Sequence, residues 1–345
     1  MIDVLVVDDS AFSRKIITNI LEAIPGVRVL EAVRDGQEAI QKTVLLKPDL
    51  ITLDLEMPRM NGFTFLRWLM TYQPTPVIVV SAQEADESVF KALDLGALDF
   101  VVKPTRHASL QLQEIEADLI EKVLAVPMLA KAKLRQTTQH FPEIKYGEPK
   151  TRTKERPRLI GIGSSTGGPS AIQTILRSLP KNFPVPILVA QHMPPGFTTL
   201  FADRLNKVAQ VQVKEAADTE ALQAGTLYIA PGGKHLEAQR QGAHLVTHVH
   251  KDARQPHRHF PSADILLTSL ASEAGACVIG VVLTGMGDDG KLGLQSIKTG
   301  GGVTIAESEE TAIIFGMPKE AIKAGIVDFV LPLHEIGHAL ISLSM

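Results

Sequence analysis

Two α/β domains in series, each a doubly wound parallel sheet, are what the sequence predicts, and three observations predict it. Short apolar runs alternate with amphipathic stretches along most of the chain, as expected for parallel strands joined by helical crossovers. At 345 residues the chain exceeds what one ordinary core supports. Charge is also segregated: residues 1–126 carry a net −7, residues 127–157 a net +5 and residues 158–345 a net −1. An acidic module, a basic connector and a near-neutral module follow one another, so domains are expected over 1–126 and 158–345 with a linker at 127–157.

The bulk properties narrow the class. The chain opens Met1-Ile-Asp-Val-Leu-Val-Val-Asp-Asp9, with acids where a signal peptide needs a basic start. No apolar run approaches the roughly 18 residues of a membrane helix. The lone Cys277 lies in an apolar run, so it reads as a small buried hydrophobe and no internal disulfide is possible. These features predict a cytoplasmic protein that is not membrane-inserted, and a formal charge of −3 points to no nucleic-acid partner.

In the first module, strands are expected at Val4–Val7, Val27–Val33, Leu50–Leu53, Val77–Val80 and Phe100–Val102, with helices near 11–23, 36–46, 61–71, 86–95 and 109–125. Sites in doubly wound sheets form at the carboxyl ends of the strands. Those ends carry Asp8, Asp9, Asp54, Ser81 and Lys103. Three carboxylates brought together repel unless a divalent cation neutralises them, and an oxygen-only set suits Mg²⁺. A lysine and a small hydroxyl facing the same pocket suit phosphoryl oxygens. Helix capping explains an acid pair alone, but not all five positions in order.

Residues 1–125 resemble a response-regulator receiver domain. The matching pieces are Val-Asp8-Asp9-Ser, Asp54-Leu-Glu-Met-Pro-Arg-Met-Asn-Gly62, Ser81 after Val-Val, and Val102-Lys103-Pro104. The resemblance implies a flavodoxin-like fold and phosphorylation of Asp54 by a histidine kinase. It implies Mg²⁺ held by Asp9, Asp54 and the backbone carbonyl of Glu56, with Asp8 acting through water. Ser81 would contact the phosphoryl group and Lys103 would pair with it. Phe100 falls at the family's aromatic switch position, which core packing explains equally well.

From Pro127 onward basics and prolines recur and bulky apolar residues thin out, so a flexible or extended connector is expected. No helix-turn-helix pattern accompanies it.

The second module begins with an apolar strand, Leu159-Ile-Gly-Ile-Gly163, running into Ser164-Ser-Thr-Gly-Gly168 and at once into a helix. A turn of this kind aims backbone N–H groups and a helix N-terminus at an anion or a developing oxyanion. Its glycines also satisfy one variant of a dinucleotide-binding turn. That reading, an NAD-dependent oxidoreductase, needs an acid at the end of the next strand for the ribose. The next strand, Val185-Pro-Ile-Leu-Val-Ala190, ends instead in Gln191-His192. A third strand, Val278 to Leu283, runs into Thr284-Gly-Met-Gly-Asp-Asp-Gly290. Serine, histidine and aspartate therefore stand at the ends of three parallel strands, the parts of a serine hydrolase. Each alone has a plainer explanation as a cap, a structural histidine or a turn residue. Together they favour Ser165 as nucleophile, His192 as base and either Asp288 or Asp289 as the orienting acid. The other reading, an output domain that only binds a partner, is disfavoured by the intact set.

Residues 158–345 resemble the catalytic domain of the chemotaxis protein-glutamate methylesterase family, CheB, and both modules together match that family end to end. The segments that carry the resemblance are Gly163–Pro169, Gln191–Thr198, Tyr228–His235, Pro261–Asp264, Leu283–Gly290 and Phe315–Pro318. By the family's register the triad is Ser165, His192 and Asp289. The resemblance implies hydrolysis of glutamate γ-methyl esters on methyl-accepting chemotaxis receptors, with glutamine deamidation as a companion activity. It implies a CheA-type sensor kinase as phosphodonor and no cofactor for the ester chemistry beyond the receiver's Mg²⁺. It further implies that the unphosphorylated receiver partly covers the active site, so that phosphorylation favours an open state. Backbone N–H groups near Thr166 and Met286 are the expected oxyanion donors. Glu307-Ser308 departs from the Gln-Asp usual in the family before the Gly-Met-Pro segment.

Histidines 244, 248, 250, 257 and 259 crowd one region. His248-Val-His250 places two imidazoles on one strand face, as a zinc site requires, but no cysteine or tight acid spacing accompanies them. His259 is expected near the substrate channel.

Overall fold

The apolar runs become parallel strands. The computed structural model describes residues 1–81, 87–103, 109–133, 158–251 and 259–345, without the side chains of 81, 109–115 and 130–133. Contacts divide the chain into two compact units, Met1–Ala130 and Lys131–Met345.

The first unit alternates β1 (Ile2–Val7), α1 (Ala11–Glu22), β2 (Val27–Val33), α2 (Gly36–Leu46), β3 (Leu50–Asp54), α3 (Gly62–Tyr72), β4 (Val77–Ser81), α4 (Glu87–Asp94), β5 (Asp99–Val102) and α5 (Ser109–Lys133). The strands form one parallel sheet in the order β2-β1-β3-β4-β5. This is the flavodoxin-like order, and the direction in which strands are added reverses between β1 and β3. Polar side chains start the helices: Ser10 caps α1, Asp35 caps α2 and Asn61 caps α3. Leu50, Ile51 and Leu53 of the central β3 are fully buried, as a strand covered on both faces requires.

One sequence expectation is corrected here. The helix expected to end near 125, with a flexible connector from 127, continues through Pro127 to Lys133. Val123, Val126 and Leu129 keep burying one face across the proline. Their packing outweighs the N–H that proline removes. The rest of the expected connector, 134–157, lies outside the described residues.

The second unit contains β6 (Leu159–Ser164), α6 (Gly168–Ser178), β7 (Ile187–Gln191), α7 (Phe197–Val208), β8 (Gln212–Glu215), β9 (Thr226–Ile229), β10 (His235–Gln241), β11 (His244–His250), α8 (Ala263–Ala274), β12 (Val278–Val282), α9 (Lys291–Thr299), β13 (Val303–Glu307), α10 (Met317–Lys323), β14 (Phe329–Leu331) and α11 (Leu333–Ser344). Seven parallel strands run in the order β14-β13-β12-β6-β7-β9-β8. The chain starts at β6, builds outward through β7, then returns to β12 on the other side. That reversal opens a crevice at the carboxyl ends of β6 and β12. Helix α8 seals one face through Leu266, Leu267 and Leu270, which join the core around Leu159, Leu188 and Val282. An antiparallel hairpin, β10–β11, stands apart from the main sheet.

Candidate active site

The three strand ends expected to carry the chemistry, those of β6, β7 and β12, are neighbours in the sheet. Ser165 follows β6 and is nearly buried, its N–H donating to the Thr284 carbonyl at 3.0 Å. Gly285 lies directly against it. A Cβ built on Gly285 would stand 2.8 Å from the Ser165 Cβ and 3.1 Å from its nitrogen, so only glycine allows the two turns to meet. The Gly285 carbonyl in turn accepts the Gly316 and Met317 amides, which is what the Phe315–Pro318 segment contributes.

His192 follows β7, with its amide donating to the Ser164 carbonyl at 3.0 Å. Its Nε2 lies 2.7 Å from Asp289 Oδ2. Its Nδ1 is buried with no hydrogen-bond partner among the described residues. His259 stacks on the His192 ring, centroids 4.1 Å apart and planes 11° from parallel.

Asp289 sits at the N-terminus of α8. It accepts the Ser262 hydroxyl (2.9 Å), the Ala263 amide (2.7 Å), the Asp264 amide (2.9 Å) and the Gly290 amide (3.1 Å). Burial alone would raise its carboxyl. The His192 contact and the α8 amides outweigh that and hold it below the usual carboxylate range. Asp288 faces outward, its side chain 64% exposed and paired with Lys291 at 2.8 Å. Asp264 lies beneath; burial first, and then the neighbouring Asp289, push it up to about 6.

Two polar residues escaped the sequence reading. Gln191 links the turns: its Oε1 accepts the Ser164 hydroxyl at 2.7 Å and its Nε2 donates to the Ser165 and His192 carbonyls, each at 3.0 Å. Thr284 donates its hydroxyl to the Thr166 carbonyl at 2.9 Å and accepts the Ile314 amide at 2.8 Å. Beneath Thr284, the fully buried Glu307 accepts the Thr284 amide at 2.8 Å and the Thr311 hydroxyl at 2.9 Å. Burial pushes the Glu307 carboxyl up to about 7 despite those bonds. The signal available in the sequence was a polar residue ending an otherwise apolar strand, as Gln191 and Glu307 do. Thr166 is buried, and the Met286 amide finds no acceptor among the described residues.

The first unit holds a separate cluster. Asp8, Asp9 and Asp54 each offer a carboxylate oxygen, all lying within 4.8 Å of one another. Lys103 Nζ is 2.7 Å from Asp54 Oδ2 and 3.1 Å from Asp8 Oδ2. Burial, only partly offset by Lys103, pushes Asp8 up to about 6 and raises Asp54 as well. Burial pulls Lys103 the other way, but its two carboxylates leave it raised. Three converging carboxylates in an oxygen-only set fit a hard divalent cation such as Mg²⁺. The Glu56 amide donates to Asp54 Oδ1 at 3.3 Å. Ser81 ends β4, paired with Val102, and its side chain lies outside the described residues. Phe100 is buried beneath Lys122.

Both modules have matches among known protein families. The CheB methylesterase family model matches residues 160–340, and the response regulator receiver domain model matches residues 4–114. The protein-glutamate methylesterase/protein-glutamine glutaminase 3 of Geobacter sulfurreducens is 46% identical, over 99% of this chain and 96% of its own length. The protein-glutamate methylesterase/protein-glutamine glutaminase of Bacillus subtilis is 43% identical, over 98% of this chain and 95% of its own. Among solved structures, the Thermotoga maritima CheB methylesterase catalytic domain aligns in full with 55% of this chain, at 43% identity and a TM-score of 0.53. A strand-end serine, histidine and aspartate in one module and a strand-end carboxylate cluster in the other are thus joined in a chain that belongs to the CheB methylesterase family.

Proposed function

We propose that the protein hydrolyses glutamate γ-methyl esters on methyl-accepting chemotaxis receptors, and deamidates receptor glutamines, under control of phosphorylation at Asp54. The observation that carries the ester chemistry is the 2.7 Å His192–Asp289 contact beside Ser165, which leaves the second ring nitrogen of His192 unengaged.

In this reading Ser165 Oγ attacks the ester carbonyl and passes its proton to His192 Nδ1. Asp289 holds the ring through Nε2 and steadies its positive charge. The tetrahedral oxyanion is met by backbone donors around Met286 and Thr166. The intermediate collapses, and the His192 proton leaves with methanol. Water, deprotonated by the same nitrogen, then attacks the acyl-serine and releases the receptor carboxylate with Ser165 restored. With a glutamine side chain the first leaving group is ammonia, and the remaining steps are the same.

In the receiver, Asp54 accepts the phosphoryl group from a CheA-type histidine kinase. Lys103 is placed to pair with the phosphoryl oxygens, and Ser81 is its expected second contact. Asp9, Asp54 and the Glu56 carbonyl would hold Mg²⁺, with Asp8 acting through water. The ion, when bound, supplies the positive charge that neutralises carboxylates and phosphoryl oxygens together. Among the described residues no helix is long and apolar enough to cross a membrane. In this reading the enzyme works in the cytoplasm.

The test is release of methanol from methyl-labelled receptor membranes. Ser165→Ala should lower the rate by about three orders of magnitude or more. Activity retained within a factor of a few would remove Ser165 from the chemistry.

A further inference from the structure

We propose that Glu237, His248 and His250, on the β10–β11 hairpin, form a binding site for a divalent transition-metal ion of the Zn²⁺ type, separate from the esterase triad and from the receiver carboxylates.

The antiparallel register puts Glu237 directly opposite His248 and His235 opposite His250. Cross-strand partners and residues two apart on a strand share a face, so all three ligand candidates project together. One donor atom from each lies within 4.8 Å of the other two. The His250 Nε2 to Glu237 Oε2 separation is 3.3 Å. Two donors on a tetrahedral zinc centre stand about 3.3 Å apart, given metal–ligand distances near 2.0–2.1 Å. That His250 nitrogen is buried, and its approach to Glu237 does not have hydrogen-bond geometry. The two imidazoles stack with centroids 4.8 Å apart and planes 15° from parallel.

The outer support is also present. His248 Nδ1 faces Asp218 Oδ1 at 3.3 Å, and the same oxygen accepts the Val249 amide at 2.8 Å. A carboxylate anchored in this way fixes the imidazole ring and leaves its Nε2 for an ion, the usual outer arrangement of a metal-bound histidine. Two nitrogens and one carboxylate make a set that transition metals prefer to Mg²⁺. Three protein ligands leave a fourth position for water.

The site adjoins the catalytic unit's machinery without belonging to it. His235 packs on the His250 ring at 5.6 Å and accepts the Ser262 amide on Nδ1 at 3.2 Å. Ser262 is the residue whose hydroxyl meets Asp289.

The experiment titrates the full, tag-free chain with Co²⁺ under excess Mg²⁺, which saturates the receiver carboxylates, and follows the visible ligand-field absorption of Co²⁺. About one equivalent should bind with a tetrahedral spectrum and be displaced by Zn²⁺. Glu237→Gln, His248→Ala and His250→Ala should each weaken binding by at least about ten-fold, while His244→Ala, at the far end of the hairpin, should not. Circular dichroism checks that each variant is folded. Absence of stoichiometric binding to the wild-type chain, or equal binding by the triple variant, would overturn the proposal.

Discussion

Asp288 and Asp289 stand side by side in one turn, and their surroundings could hardly differ more. Asp288 points to solvent and Lys291, whereas Asp289 collects three hydrogen bonds from the start of α8, a fourth from the Gly290 amide beside it and a further contact from His192. Asp289→Asn should therefore lower the hydrolytic rate by about two to four orders of magnitude, and Asp288→Asn should leave it within a few-fold. Comparing the two purified variants on labelled receptor decides the assignment, and an equal loss in both would refute it. Spacing alone could not separate adjacent acids, because the difference lies in which one turns toward α8, an element 25 residues away in sequence. Glu307 offers a second residue-scale test. Its carboxyl ordinarily ionises at 4.5 and is pushed up to about 7 in the folded protein. Between those values the folded chain binds the proton that the unfolded chain has released, so this residue's contribution to stability falls as pH rises from 4.5 toward 7 and stays low above. Glutamine can still accept the Thr284 amide and can donate to Thr311. Glu307→Gln should thus be more stable than wild type by roughly 1–3 kcal/mol at mildly alkaline pH, with a smaller gain near pH 4.5. Urea midpoints across that range measure it, and a gain independent of pH would contradict the buried-carboxylate account.

At the scale of elements, α8 is the piece on which the acid depends. Its N-cap Ser262 donates to Asp289 and accepts the Ile265 amide, so one hydroxyl both starts the helix and seats the proposed catalytic acid. Ser262→Ala should cost about 0.5–2 kcal/mol of stability and slow hydrolysis through kcat more than KM. A change confined to KM would detach the cap from the chemistry. The parallel strands were legible because both faces are buried, and runs such as Val278–Val282 are apolar without interruption. The passage of α5 through Pro127 was not legible, since a proline and a basic composition both read as a stop, while the buried faces of Val126 and Leu129 appear only in three dimensions. The alignment of Glu237 with His248 and His250 was hidden for a similar reason: hairpin register, not sequence spacing, brings the acid across. Gln191 and Thr284 escaped because ordinary polar residues at strand ends announce no partner until the neighbouring turns are in place.

For the whole molecule, two units of parallel sheet each place their reactive groups where the strand order reverses. Asp8 follows β1 and Asp54 ends β3 in one unit, and Ser165 and Asp289 follow β6 and β12 in the other. Control of one by the other makes a simple prediction. Asp54→Asn should keep basal methanol release and lose the stimulation that a small phosphodonor gives the wild-type chain. Stimulation equal to wild type would separate the receiver from regulation. The adjacency of β12, β6 and β7 carries a further consequence. Neighbouring strands lie about 4.8 Å apart, so the sheet acts as a ruler on which serine, histidine and aspartate are graduations. Turnover is then a gauge of that ruler: core substitutions that stretch it by about 1 Å should silence the enzyme while spectra of helix and strand still look native.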